Sequence, residues 1–280
     1  MTETLEVVGC IAAAAAMSIS LLASNPRIRV AALVLALALA TALIAGQGWD
    51  DIANLRDDPA EFAGLIAAGT IVIVIGAAAM LRWPVLLPLL VIAAMPFRVR
   101  LDVAGDEAVN LLVPLYAVIG AGVLATVVAT LRGQTRLRRL PRPLVLALVA
   151  VICLYALQTI YSDDVAFAAR NVGFFLVPFA VLFSLLAGAN WDRRLLRLAF
   201  LVVLVEGLVL ALIGIGQYAD QRIFWNDRLE ASNDFHFYFR VNSLFWDPNI
   251  YGRYLVLSLL VTATRTQSLR RHCAGRRTFR

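Results

Sequence analysis

Apolar runs close to the length of a membrane-spanning helix recur along this chain: Leu5–Ala23, Val30–Gly46, Phe62–Leu81, Val109–Leu131, Leu144–Ile160, Val172–Ala189, Leu198–Gln217 and Pro248–Thr264. A helix of about 20 residues covers the hydrocarbon core of a bilayer. In lipid, helices and closed barrels alone satisfy every backbone polar group internally, and unbroken runs without alternation favour helix. The expected fold is therefore an all-α, polytopic membrane bundle rather than one or two soluble domains. With 61% hydrophobic and 16% charged residues, the chain has too little polar surface for the soluble alternative.

A ninth run, Trp83–Phe97, is short and carries Pro84, Pro88 and Pro96. It reads as a tilted span or as a broken helix whose freed backbone groups find partners on neighbours. Charge decides whether it crosses, because Lys and Arg near helix ends favour the cytoplasmic side. Segments with Arg27 and Arg29, with Arg82, with Arg132 to Arg142, with Arg193 to Arg197, and the Arg-rich end alternate with acidic ones. The acidic segments hold Glu3 and Glu6, Asp50 to Glu61, Asp102 to Glu107, Asp163 and Asp164, and the long loop from Tyr218 to Asp247. Nine crossings with the N-terminus outside and the C-terminus inside reproduce this alternation, so Trp83–Phe97 is counted as a crossing. Residues 1–264 then form one transmembrane domain whose outward loop is 218–247, and 265–280 form a basic cytoplasmic tail. That tail reads equally as an anchor for anionic lipid or as the truncated or frame-shifted end of a longer protein.

The net charge of +6 lies in short inter-helix loops and the tail, which inside anchoring explains better than nucleic-acid binding. Cys10 and Cys153 fall within apolar runs and Cys273 in the tail, leaving no outward pair for a disulfide. No metal-ligand spacing, glycine-rich phosphate loop or nucleophile elbow is present.

Polar residues with chemical potential concentrate near the last run. Asp247-Pro248-Asn249 has the pattern of a helix start, Asp as cap and Pro in the first turn. Arg240, Asn242 and Ser243 just before it bring cationic and neutral donors to the positive end of that helix, a combination that suits a phosphate. Aromatic residues crowd the same stretch, among them Phe235, Phe237, Tyr238, Phe239, Phe245 and Trp246. They fit an interfacial belt, a sugar-stacking surface or a lipid-gripping one. Glu206 lies deep in an apolar run, where an ionisable group is either neutral and hydrogen-bonded or part of a site, and Gly207, Gly214, Gly216 and Gln217 share its helix as a face able to line a cavity. Arg98 and Arg170 are further outward cations, either phosphate contacts or helix-end anchors. His236 is the one outward imidazole, flanked by rings that favour packing over general-base work.

The run Tyr238-Phe-Arg-Val-Asn-Ser-Leu-Phe-Trp-Asp-Pro-Asn-Ile-Tyr-Gly resembles the motif of the O-antigen ligase and O-antigen polymerase family, in which an outward Arg precedes a Ser-x-Phe-x-x-Pro-Asn helix start. Pro96-Phe-Arg-Val, Asn110-Leu-Leu-Val-Pro-Leu-Tyr and Asn171-Val-Gly-Phe-Phe-Leu-Val-Pro-Phe are similar to upstream pieces of actinobacterial members. The resemblance implies a multi-pass protein of the bacterial inner membrane that moves a glycan from an undecaprenyl diphosphate carrier to an acceptor, on the outer face, without metal or nucleotide sugar. It implies Arg240 as the group that binds the diphosphate, and the residue-level reading adds Asn242, Ser243, Asp247, Asn249, Arg98, Arg170 and Glu206 as candidate substrate contacts. Family members continue into further spans, a second outward Arg and an outward loop carrying a His thought to act as base. The expectation is that the 280 residues form a partial or inactive member. The competing expectation is a transporter or flippase of a lipid-linked or small-molecule substrate, in which Glu206 and the broken run would matter most.

Overall fold

A computed structural model describes residues 3–47, 59–97, 99–102, 108–134, 137–224, 226–235 and 237–277. Among the described residues the regular structure is helical apart from one two-stranded sheet, β1 (Val99–Asp102) paired with β2 (Ala108–Leu111). Among the described residues six helical segments are long and apolar enough to cross a membrane: Glu3–Leu22, Pro26–Gln47, Phe62–Arg82, Val113–Leu131, Val165–Ala187 and Arg193–Asp220. The fold is a helical, multi-pass membrane bundle. Its residues group into two compact units, Met1–Pro88 with Asp102–Ala108 and Leu115–Asn190, and Leu89–Leu101 with Val109–Pro114 and Trp191–Arg280.

The first unit is built on small side chains. Helices α1 (Glu3–Leu22) and α2 (Pro26–Gln47) form a hairpin that buries Cys10, Ala13, Ala14 and Met17 on one side and Leu33, Ala36 and Ala40 on the other. Gly9 permits the approach: a Cβ there would lie 2.6 Å from Leu43 Cδ2. The turn is organised by Asn25, whose side chain accepts from Arg27 N–H at 2.9 Å while its carbonyl accepts from Arg29 N–H. Helix α3 (Pro59–Arg82) meets α5 (Val113–Leu131) through Ala77, Met80, Ala121 and Ala125. Between them α4 (Leu86–Ala94) is only nine residues long. Pro84 ends α3, and Pro88 sits in the first turn of α4, where a missing N–H leaves no bond unmade.

Helix α6 (Arg142–Gln158) is shorter, with 17 apolar-rich residues. The next rod consists of α7 (Val165–Asn171), a π-helical turn at Val172–Leu176, and α8 (Val177–Ala187). It begins with Asp164, whose side chain accepts from Phe167 N–H at 2.8 Å. Pro178 has no N–H to offer the carbonyl four residues before it, and the Tyr116 hydroxyl donates to that Phe174 carbonyl at 2.7 Å. The rod thus starts before the apolar run Val172–Ala189. Likewise the run Val109–Leu131 becomes helical only at Val113, because its first residues pair as β2.

The second unit contains α9 (Arg193–Asp220), the short α10 (Asp227–Asn233) and α11 (Pro248–Arg277). Asp192 caps α9 by accepting from Leu195 N–H at 2.7 Å, and Gln221 closes it in the left-handed conformation with φ 53°. The helical assignment of α11 runs on through the basic residues that follow Thr264.

Candidate functional site

Gly207, Leu210, Gly214 and Gln217 recur at spacings that place them on one stripe of α9, and all four are buried. The stripe lies against α11 and the loop before it. A Cβ on Gly214 would sit 2.9 Å from Tyr251 Cζ, and one on Gly207 would sit 3.0 Å from Ser258 Cβ. The bare backbone at Gly214 therefore receives the Tyr251 ring, and the Tyr251 hydroxyl donates to the Leu210 carbonyl at 3.1 Å. One residue before Gly207, Glu206 Oε2 accepts from the Tyr254 hydroxyl at 2.7 Å. The hydrogen bond expected of this carboxyl comes from a phenol on α11. The glycine face expected to line a cavity is filled by α11, while Gly216 faces open space.

Above that stripe the loop is held by three side-chain amides. Gln217, 1% exposed, accepts from Ser243 N–H at 2.7 Å and donates from Nε2 to the Ser243 carbonyl at 3.0 Å and to Asn242 Oδ1 at 3.3 Å. Ser243 adopts φ 53°, a left-handed conformation that non-glycine residues seldom take, and its hydroxyl donates to the Leu210 carbonyl at 2.9 Å. Asn226 caps α10 by accepting from Leu229 N–H at 3.0 Å and donates to the Trp246 carbonyl at 2.7 Å. Asn233 accepts from Arg240 N–H at 3.0 Å and donates to the Arg240 carbonyl at 3.1 Å. Phe245 fills the space beneath, against Leu210 and Tyr251 and 5.5 Å between centroids from Tyr254.

This arrangement separates the expected site residues into two kinds. Asn242 and Ser243 are fully buried, and the polar atoms of Ser243 are engaged by Gln217 and Leu210. Arg240 has its backbone fixed in both directions by Asn233, while its half-buried guanidinium makes no hydrogen bond or ion pair among the described residues. Asp247 accepts from Asn249 N–H at 2.6 Å, and its carbonyl accepts from Ile250 and Tyr251 N–H, so it starts α11 as its position before Pro248 predicts. Asn249 itself is exposed in the first turn. Arg170 is exposed at the last turn of α7, in the other unit. Arg98 and His236 lie outside the described residues. Among the described residues no group of three or more His, Cys, Asp or Glu is placed to hold a metal ion.

The amide clamps of Asn226 and Asn233 had no sequence signal that distinguishes them from ordinary loop asparagines. Gln217 did carry one, an amide at helical spacing from Gly207, Leu210 and Gly214. No family model, curated protein or solved structure matches the chain.

Proposed function

We propose that the chain is a member of the O-antigen ligase and polymerase class, in which Arg240 binds the diphosphate of an undecaprenyl-linked glycan during transfer to an acceptor at the outer face of the bacterial inner membrane. The observation that carries this reading is the state of Arg240. Its main chain is immobilised, its guanidinium has no partner among the described residues, and it stands just before the start of α11. A fixed, permanently charged fork with free donors suits a diphosphate, whose departure it would stabilise. Asn242 and Ser243 then act by shaping the loop rather than by touching the carrier.

The nine-crossing topology belongs to the same proposal and has support from hydrogen bonds within the first unit. Buried Arg29 donates to the carbonyls of Ser20, Leu137 and Arg138, and Arg139 donates to the Ser24 carbonyl. Two basic segments that meet at one membrane face need an even number of crossings between them. Helices α2, α3 and α5 supply three, which favours Trp83–Phe97, with the nine-residue α4 inside it, as the fourth. Gln47, at the other end of α2, donates to the Ala166 carbonyl at 3.0 Å, and the same parity follows once α6 also crosses. The cluster of Arg29, Arg138 and Arg139 supports a cytoplasmic side for the first of these faces.

The test is binding of an undecaprenyl diphosphate lipid to the chain in nanodiscs. Arg240→Ala is expected to weaken binding at least about tenfold, corresponding to roughly 1.4 kcal/mol, with Arg240→Lys only partly restoring it. Glu206→Gln, which keeps an acceptor for Tyr254, is expected to leave binding unchanged. Equal affinity for Arg240→Ala and the parent chain would sink the glycosyltransfer reading, and loss on Glu206→Gln alone would favour the transporter.

A further inference from the structure

We propose that the tip of the loop between α9 and α11, formed by Phe235, Phe237 and Tyr238, inserts into the leaflet facing that loop and thereby sets Arg240 at the depth of the lipid phosphates. The second half of this statement rests on the diphosphate-binding role given to Arg240; the insertion does not.

The three rings are 88%, 109% and 68% exposed. Isolated exposed rings are ordinary, but three within four positions of one bend make a contiguous apolar patch that marks a contact surface. Leaving the rings in water forgoes the stabilisation of burying them. A flexible loop would recover part of that by folding the rings onto the protein. Here it is prevented from doing so, because Asn233 pairs with both backbone groups of Arg240 and closes the bend at its base. Asn226 holding Trp246 and Gln217 holding Ser243 brace the same loop further down. The protein holds the tip away from its own core.

The occupant follows from where the loop is tied. It leaves α9, a 28-residue apolar span, and re-enters at α11, whose opening turns hold Asn249 and Arg253 beside Ile250, Tyr251 and Tyr254 before the apolar stretch from Leu255. Both ends of the loop therefore lie where helices emerge from hydrocarbon. A rigid bend at that level presents phenylalanines, which carry no polar atom, together with one tyrosine whose hydroxyl is suited to the headgroup boundary. Arg240, at the base of the bend and close in sequence to the rings, then falls among phosphates, where a lipid-linked diphosphate also lies. The alternative occupants, a glycan stacked on the rings or a soluble protein, would leave the tip in water.

The experiment places a nitroxide at Phe237→Cys in a chain with Cys10, Cys153 and Cys273 replaced by Ala, reconstituted in nanodiscs of phosphatidylcholine and phosphatidylglycerol. Relaxation by oxygen is compared with relaxation by a water-soluble nickel chelate, and a label at Glu230→Cys, an exposed position of α10, is the reference. Insertion is expected to make the Phe237 label more responsive to oxygen and at least about fivefold less responsive to nickel than the Glu230 label. Equal nickel response at the two sites overturns the proposal, whatever Arg240→Ala does to carrier binding. A second variant, Phe235→Ser with Phe237→Ser and Tyr238→Ser, is expected to weaken the undecaprenyl diphosphate lipid about tenfold while leaving the thermal midpoint unchanged. Unaltered affinity in that variant overturns the link to Arg240 and leaves the binding test of Arg240 itself standing.

Discussion

The two units solve the same problem, holding apolar helices together, with different atoms. In the first, α1 and α2 meet largely through alanines and Gly9, and polar ties appear mainly at helix ends and at the one carbonyl that Pro178 frees. In the second, the contact between α9 and α11 carries Glu206 with Tyr254, Tyr251 with Leu210, and Gln217 with Ser243. Small residues are a general answer to packing in lipid, where apolar burial gives helices no reason to associate. Buried amides are costly unless every group is paired, and they fix one geometry when they are. The second unit has the composition of a part whose exact shape matters.

The largest effect is expected where the first unit departs from its own style. Arg29→Met removes a guanidinium that is bonded to three carbonyls on two segments. Stranding those carbonyls should cost roughly 3–5 kcal/mol, read as a large drop in the thermal midpoint in detergent. An unchanged midpoint would undo both the tie and the parity support drawn from it. Next comes Gln217→Leu, which keeps the bulk and leaves Ser243 N–H and C=O without their partner, for about 2–4 kcal/mol. Here the signature is local: faster amide exchange across 240–247 with α1 and α2 unaffected. Gln217→Glu sharpens the point, because it retains the acceptor for Ser243 N–H but turns the donor toward Asn242 Oδ1 and the Ser243 carbonyl into an acceptor. If Gln217→Glu behaved like the parent, the clamp would not depend on its donor side.

These expectations also show what sequence makes legible in such a chain. Run length and one helix start carried over well: Asp247 begins α11 through a side-chain acceptor as its place before Pro248 announces, while Asp192 and Asp164 begin α9 and α7 in the same way with no comparable motif to announce them. The starts at Val113 and Val165 were not legible, because hydropathy does not distinguish an apolar strand residue such as Val109 from a helical one and does not see that Arg170 lies inside a span rather than before it. Within the site, the spacing of Gly207, Gly214 and Gln217 announced a special face but not its content. A glycine stripe reads alike whether it lines a cavity or receives Tyr251. Arg240 and Ser243 stood together in the motif, and the structure assigns them opposite surroundings, since burial depends on Gln217 twenty-six positions away.

A smaller contrast separates two glycines on the same helix. Gly214→Ala drives a methyl against the Tyr251 ring and is expected to cost about 1–3 kcal/mol. Gly216→Ala meets nothing within 4 Å and should be neutral or stabilising by up to about 1 kcal/mol through helix propensity. Similar thermal midpoints for the two variants would mean that α11 does not lie against Gly214 as described.

The smallest effect tests whether a polar tie in the first unit is there to repair a backbone defect. Tyr116→Phe removes one hydroxyl bond and leaves the Phe174 carbonyl unpaired inside apolar surroundings, about 0.5–1.5 kcal/mol. If the tyrosine answers the missing N–H of Pro178, then Pro178→Ala, which supplies an N–H four residues after that carbonyl, should make the hydroxyl dispensable. Tyr116→Phe should then cost less in the Pro178→Ala background than alone, a coupling of about 0.5 kcal/mol or more between residues that share that carbonyl. Additive losses in the four-member cycle would detach the tyrosine from the proline. In that outcome Tyr116 stabilises α5 against the π-helical turn for its own sake, and the first unit would resemble the second more closely than its alanines indicate.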